Sequence, residues 1–171
     1  MLSKADCRVP NIWRDWLSDT GSLTARLLEA SKGDLRVSLL QQHLEVPNFS
    51  ERQLLGLGDR RRAMVREVLL YGAGQPWVFA RSILPLTTLT GRLRTLRQLS
   101  NQPLGELLFK DPTMHRDSVQ FANFDSSNNM LASHTPKTDK SIWGRRSVFW
   151  LDKKPLLVAE VFLPDFNPYN E

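Results

Sequence analysis

The segment Leu156-Leu157-Val158-Ala159-Glu160-Val161-Phe162-Leu163 carries one polar residue in eight. In a strand, alternate residues face opposite sides. Leu156, Val158, Glu160 and Phe162 therefore share one face, and Leu157, Ala159, Val161 and Leu163 the other. A strand apolar on both sides is covered on both, as in the interior of a sheet. Glu160 then lies among apolar neighbours whichever way the strand turns. An isolated ionised carboxylate there costs on the order of several kcal/mol. It has to be protonated, paired or open to a polar cavity.

Two further strands hide charge of the opposite sign. Met64, Arg66, Val68 and Leu70 share one face of the first, and Trp77, Phe79, Arg81 and Ile83 one face of the second. A guanidinium does not escape burial by losing its proton, so each arginine needs an anion. The pattern allows two readings. In one, Glu160 closes a structural ion pair with Arg66 or Arg81. In the other, these charges line an enclosed site for a small anionic molecule, because charge on rigid strands preorganises carboxylate recognition. Both demand the same residues.

Around these strands the periodicity predicts an α+β fold with a six-stranded antiparallel sheet. Ile12, Trp13, Trp16 and Leu17 fall at helical spacing. Ser22 can cap a second helix carrying Leu23, Leu27 and Leu28. Strands are expected over Leu35–Val46, Arg61–Tyr71, Trp77–Leu84, Met114–Phe124, Ser147–Leu151 and Leu156–Leu163. Gly72-Ala73-Gly74-Gln75-Pro76 and Asp152-Lys153-Lys154-Pro155 supply hairpin turns. Leu93, Leu96, Arg97 and Leu99 suggest one helix, and Leu104–Phe109 another. The stretch from Asn123 to Lys140, rich in Ser, Asn, Asp, Thr and Lys, reads as a surface loop within one domain spanning 1–171.

Composition narrows the function. Lys plus Arg is 23 against 18 Asp plus Glu, a net +5, which suits an anionic partner. A single cysteine, Cys7, excludes an internal disulfide and a zinc site built on several thiolates. His43, His115 and His134 have no metal-ligand spacing, so no metal is expected. The N-terminus is charged too early for a secretory signal, and no apolar run approaches the ~18 residues of a membrane span. A cytoplasmic protein, expected to be a monomer, is the default. Arg60-Arg61-Arg62 is the one basic run that could touch nucleic acid. It stands without a recognised nucleic-acid motif and reads as a solvated strand entry. No nucleotide-binding fingerprint or nucleophile elbow is present.

Several short stretches, in order, resemble one family. They are Asp15-Trp16-Leu17 with Ser22-Leu23-Thr24; Arg66-Glu67-Val68-Leu69-Leu70; Gly74-Gln75-Pro76-Trp77 with Ala80-Arg81-Ser82; Pro103-Leu104-Gly105; Trp143-Gly144-Arg145-Arg146-Ser147; and Lys154-Pro155-Leu156-Leu157 running into Glu160-Val161-Phe162-Leu163-Pro164. Together they resemble the chorismate–pyruvate lyases of ubiquinone biosynthesis, from about Trp13 to Tyr169. The resemblance implies conversion of chorismate to 4-hydroxybenzoate and pyruvate, without metal or organic cofactor, in a site closed off from solvent. It implies that Arg66 holds the ring carboxylate, that Glu160 meets the hydroxyl end, and that backbone amides of Leu23 and Leu104 complete the carboxylate site. Leu23 stands where a methionine occurs in the family, a change that a backbone contact survives. Arg81, with Arg145 or Arg146, is expected to meet the enolpyruvyl carboxylate. A non-catalytic domain of related fold that senses a small carboxylate is the alternative, because fold alone does not fix function.

Overall fold

The computed structural model describes residues 9–124 and 142–166. Cys7, His134, Tyr169 and the expected loop beyond Phe124 lie outside them. The order of elements is α1 (Asn11–Ser18), α2 (Leu23–Ala30), β1 (Leu35–Glu45), α3 (Phe49–Leu55), β2 (Ala63–Gly72) and β3 (Gln75–Pro85). A 3₁₀ helix (Gly91–Gln98) follows, then α4 (Leu104–Lys110), β4 (His115–Arg116), β5 (Gln120–Phe124), β6 (Ile142–Leu151) and β7 (Lys154–Phe162). Ser22 caps α2 as expected, its Oγ accepting from the Ala25 N–H at 3.2 Å.

All the strand pairings are antiparallel, in the order β1-β2-β3-β7-β6-β4, with β5 also pairing β6. β7, the strand of Glu160, lies inside the sheet between β3 and β6, as its two apolar faces require. The β6–β7 hairpin turns on Asp152 and Lys153, both at positive φ (49° and 62°). That is the backbone a two-residue turn needs to match the strand twist.

The expected six strands become seven. Met114–Phe124 splits into β4 and β5, which pair with successive stretches of β6, Phe149–Trp150 and Ile142–Arg146. The polar Asp117-Ser118 between them leaves the ladder, though the Asp117 N–H still donates to the Val148 carbonyl. β6 begins at Ile142, five residues before the expected start. α3 is an addition. It is seven residues long and closed at its N-terminus by a capping box, Asn48 with Glu51. Gly56 in the left-handed region (φ 66°) ends it.

The helices divide unequally over the sheet. On one face, called here the front, α1 and α2 pack Trp16, Leu17, Leu23 and Leu27 against Val68, Val78 and Phe162. The 3₁₀ helix and α4 pack Leu93, Leu96, Leu104 and Leu108 against Met64, Leu84, Leu156 and Phe149. On the back, α3 sets Leu55 over Val65, Ile83, Val148 and Leu157.

The β2–β3 hairpin carries a detail that later decides the site. Tyr71 pairs with Pro76 but Leu70 with Val78, so Trp77 is an extra residue, a β-bulge. Its indole lies over Gly72, where a Cβ would fall 2.1 Å from a ring carbon. Gly72→Ala is expected to displace Trp77 and destabilise the fold by about 1–3 kcal/mol, the usual range for overpacking. Denaturant unfolding measures this, and an unchanged midpoint would show that the indole moves freely.

Candidate active site

Between the two front clusters lies a gap that neither fills. Its floor is the front of the sheet, and α2 and α4 stand over it. Leu23 and Leu104, the first residues of α2 and α4, line it, and so do Arg66, Arg116, Arg145 and Glu160. The walls between them are largely apolar, including Val68, Ala80, Val158 and Phe149. A charge here is poorly screened by water, so ionic contacts gain strength.

Arg66 is 2% exposed. One Nη2 donates to two carbonyls, Ser100 at 2.9 Å and Gln102 at 2.8 Å, just before the Pro103 cap of α4. Its Nε is buried without a partner among the described residues. Burial pulls the Arg66 pKa below the ordinary arginine value, yet an arginine stays charged at neutral pH. Among the described residues no carboxylate pairs with it. A buried cation bonded only to neutral carbonyls favours an anion beside it.

Glu160 pairs with neither Arg66 nor Arg81. Register sets it opposite Arg145 across β6 and β7, and Arg145 Nε donates to Glu160 Oε2 at 2.7 Å. The Arg145 side chain is 1% exposed. Its Nη1 donates to the carbonyls of Trp16 (2.9 Å) and Asp19 (2.6 Å). This guanidinium thus joins the two central strands to the end of α1 and the turn that leads into α2. Of the two arginines paired in sequence, Arg145 faces the pocket. Arg146 faces the back, where its Nε donates to Gln120 Oε1 at 3.0 Å.

Arg116 went unremarked in the sequence. Its strand is two residues long, and no periodicity marks which way it faces. It lines the pocket, donates from Nε to Ser147 Oγ at 3.0 Å and lies over the Phe149 ring at 4.8 Å from the centroid.

Arg81 corrects an expectation. It lies on the back of the sheet, away from the pocket, and is held by three glutamates: Glu51 and Glu67 at 2.7 Å and Glu45 at 2.9 Å. Burial pulls its pKa down, but Glu51 and its companions outweigh this and hold it above the ordinary arginine value. The bulge at Trp77 is the cause. Without it, counting back from the turn would set Arg66 opposite Arg81, on one face. With it, Arg66 pairs with Ser82, and Arg81 turns to the other side.

Arg81→Met would leave three crowded carboxylates without their shared cation. The expected loss at pH 7 is about 3–5 kcal/mol, the range for breaking a buried pair from one side. Burial raises the Glu45 pKa, but hydrogen bonds from His43 and Arg81 outweigh it and bring the net value below the ordinary 4.5. A depressed carboxylate stabilises the fold above its ordinary pKa, and that contribution fades as pH falls through the folded value. The variant loses this contribution and gains repulsion that protonation relieves. The stability gap between wild type and variant should therefore narrow from pH 7 to about pH 4. Thermal melts across that range check it, and a constant gap contradicts it.

The α+β fold is also found in transcriptional regulators. A GntR-family transcriptional regulator from Enterococcus faecalis superposes with TM-score 0.56 at 15% identity, over 80% of this chain and 97% of that one. The C-terminal domain of a histidine utilization repressor from Pseudomonas syringae gives 0.59 at 9% identity, over 77% and 92%. Sequence is more specific. A family model described as chorismate lyase matches residues 2–169. Relatives named "Probable chorismate pyruvate-lyase" include one from Thiobacillus denitrificans, 40% identical over 92% of this chain and 85% of that relative. Another, from Aromatoleum aromaticum, is 43% identical over 92% and 87%. The chain belongs to the chorismate lyase family.

Proposed function

We infer that this chain is a chorismate pyruvate-lyase, which converts chorismate to 4-hydroxybenzoate and pyruvate at the entry to ubiquinone biosynthesis. The observation that carries the reading is family membership along nearly the whole chain. It is supported by a pocket that Arg66 and Glu160 both line without engaging each other. No described helix is long and apolar enough to cross a membrane. A cytoplasmic enzyme acting on a free metabolite goes with this reading.

Chorismate is a dianion whose ring carboxylate stands para to its hydroxyl. In this reading Arg66 takes the ring carboxylate through the donors its two carbonyl contacts leave over, adding geometric fit to charge. The N–H groups of Leu23 and Leu104, in the first turns of their helices, have no intrahelical acceptor and complete the carboxylate site. Glu160, one oxygen engaged by Arg145, accepts from the hydroxyl with the other. With both ends of the ring fixed, the enolpyruvyl arm is held in one conformation, and much of the barrier is met by orientation. The C3–O ether then breaks as the C4 hydrogen leaves. That hydrogen ends on the methylene of the departing enolpyruvate, which is released as pyruvate, and the ring becomes aromatic.

A product gripped at both ends leaves slowly, so release should limit kcat. Rapid mixing of enzyme with chorismate should give a burst of 4-hydroxybenzoate, with pyruvate equimolar and added 4-hydroxybenzoate inhibiting turnover. A chain that bound 4-hydroxybenzoate yet released no pyruvate would be a sensor and not a lyase.

A further inference from the structure

We propose that Arg116 receives the second carboxylate of the substrate, the one on the enolpyruvyl arm. This rests on the reading of the pocket as a chorismate site and extends it to a group that the ring-binding residues do not touch.

Three pocket arginines differ in what they still have to give. Arg145 is engaged by Glu160 and two backbone carbonyls. Among the described residues, Arg66 and Arg116 each keep a nitrogen that is buried and without a partner: Nε of Arg66 and Nη1 of Arg116. Among the described residues no carboxylate pairs with Arg116, whose one side-chain bond there is to the neutral Ser147 hydroxyl. Burial and the neighbouring Arg145 both disfavour its charge, and only Glu160 and Asp19 offset them. A guanidinium so placed lowers its energy most when an anion arrives.

Position agrees with the chemistry. Arg66 is rooted on β2 and Arg116 on β4, with β3, β7 and β6 between, so the two reach the pocket from opposite flanks. The enolpyruvyl oxygen is on C3, next to the C4 hydroxyl and away from the ring carboxylate. With Arg66 at the carboxylate and Glu160 at the hydroxyl, the arm falls in the Glu160 half of the pocket. Arg116 is on that side. It is bonded to Ser147, two residues along β6 from the Arg145 that holds Glu160. The substrate has two carboxylates and the pocket two guanidiniums with an unpartnered nitrogen. 4-Hydroxybenzoate has only the first carboxylate and would leave Arg116 unengaged.

The test separates the arm from the ring. In Arg116→Gln, kcat/KM for chorismate should fall at least tenfold, mainly through KM, while the Kd for 4-hydroxybenzoate stays within twofold of wild type. Arg116→Lys should recover part of the loss. Unchanged kcat/KM would overturn the proposal, and so would a parallel weakening of 4-hydroxybenzoate, which would make Arg116 a wall of the ring site. A measurement on wild type alone guards against a variant that does not fold. 3-(Carboxymethoxy)-4-hydroxybenzoate should bind at least tenfold more tightly than the methyl ester of its side arm. Equal affinities would again overturn the proposal. Wild type that releases no pyruvate from chorismate overturns the lyase reading as well, whereas active wild type with an indifferent Arg116 overturns only this one.

Discussion

Arg66→Met is expected to lower kcat/KM for chorismate by about a thousandfold and to weaken 4-hydroxybenzoate binding by a similar factor. Charge-assisted hydrogen bonds contribute about 1.5–3 kcal/mol each, so losing two removes about 3–6 kcal/mol. Each 1.4 kcal/mol is roughly tenfold. In the proposed reading Arg66 holds substrate and product alike, so KM and product affinity should move together. The structure adds a second effect. The carbonyls of Ser100 and Gln102, both in exposed residues, lose a charged donor, and a hydrogen bond to a charged group contributes about 1.5–3 kcal/mol. Removing a buried guanidinium with an unpartnered Nε offsets part of that. The net loss should be about 1–3 kcal/mol. Arg66→Lys should rescue little, since a point charge cannot hold two carbonyls and a carboxylate together. Calorimetry with 4-hydroxybenzoate, steady-state kinetics and thermal melts report the three effects separately. Product affinity within a few-fold of wild type would remove Arg66 from the site.

Glu160 gives the other large effect, and the choice of substitution separates structure from chemistry. Glu160→Ala leaves Arg145 buried without its anion, a loss of about 3–5 kcal/mol. Glu160→Gln keeps the shape and an acceptor for Arg145 Nε, so the fold should survive with about 1–2 kcal/mol less stability. The amide oxygen stays on Arg145, so the NH2 faces the substrate hydroxyl and donates to it instead of accepting, which still orients the ring. We expect Glu160→Gln to turn over chorismate about tenfold more slowly than wild type, well short of the 10²–10⁴-fold that removal of a general acid or base produces. A thousandfold loss in a folded Glu160→Gln protein would instead make Glu160 a proton carrier.

Much of this was legible in the chain. Strand patterning marks β1, β2 and β3, an apolar run on both faces marks β7, and a lone charge in an apolar strand is costly enough to single out Glu160 and Arg66. What escaped has physical reasons. Alternation says which residues of one strand share a face, but pairing between strands depends on register. One extra residue at Trp77 moved Arg81 from the pocket to the back. The expected start of β6 at Ser147 leaves out Arg145-Arg146, a charged pair that apolar patterning does not place inside a strand. In the sheet the two arginines point to opposite sides, and each finds its own acceptors. α3 announced itself only by Asn48, Glu51 and Gly56, with too few turns for periodicity to show. Arg116 sits on a strand too short to have a pattern.

The two sides of the sheet are held by different means. Arg81 and its three glutamates brace the back, while the front carries the arginines and the glutamate that line the cavity. A change of cargo can therefore be drafted on one side without loosening the brace on the other. Such a scaffold is free to exchange one guest for another over evolutionary time while its framework stays the same.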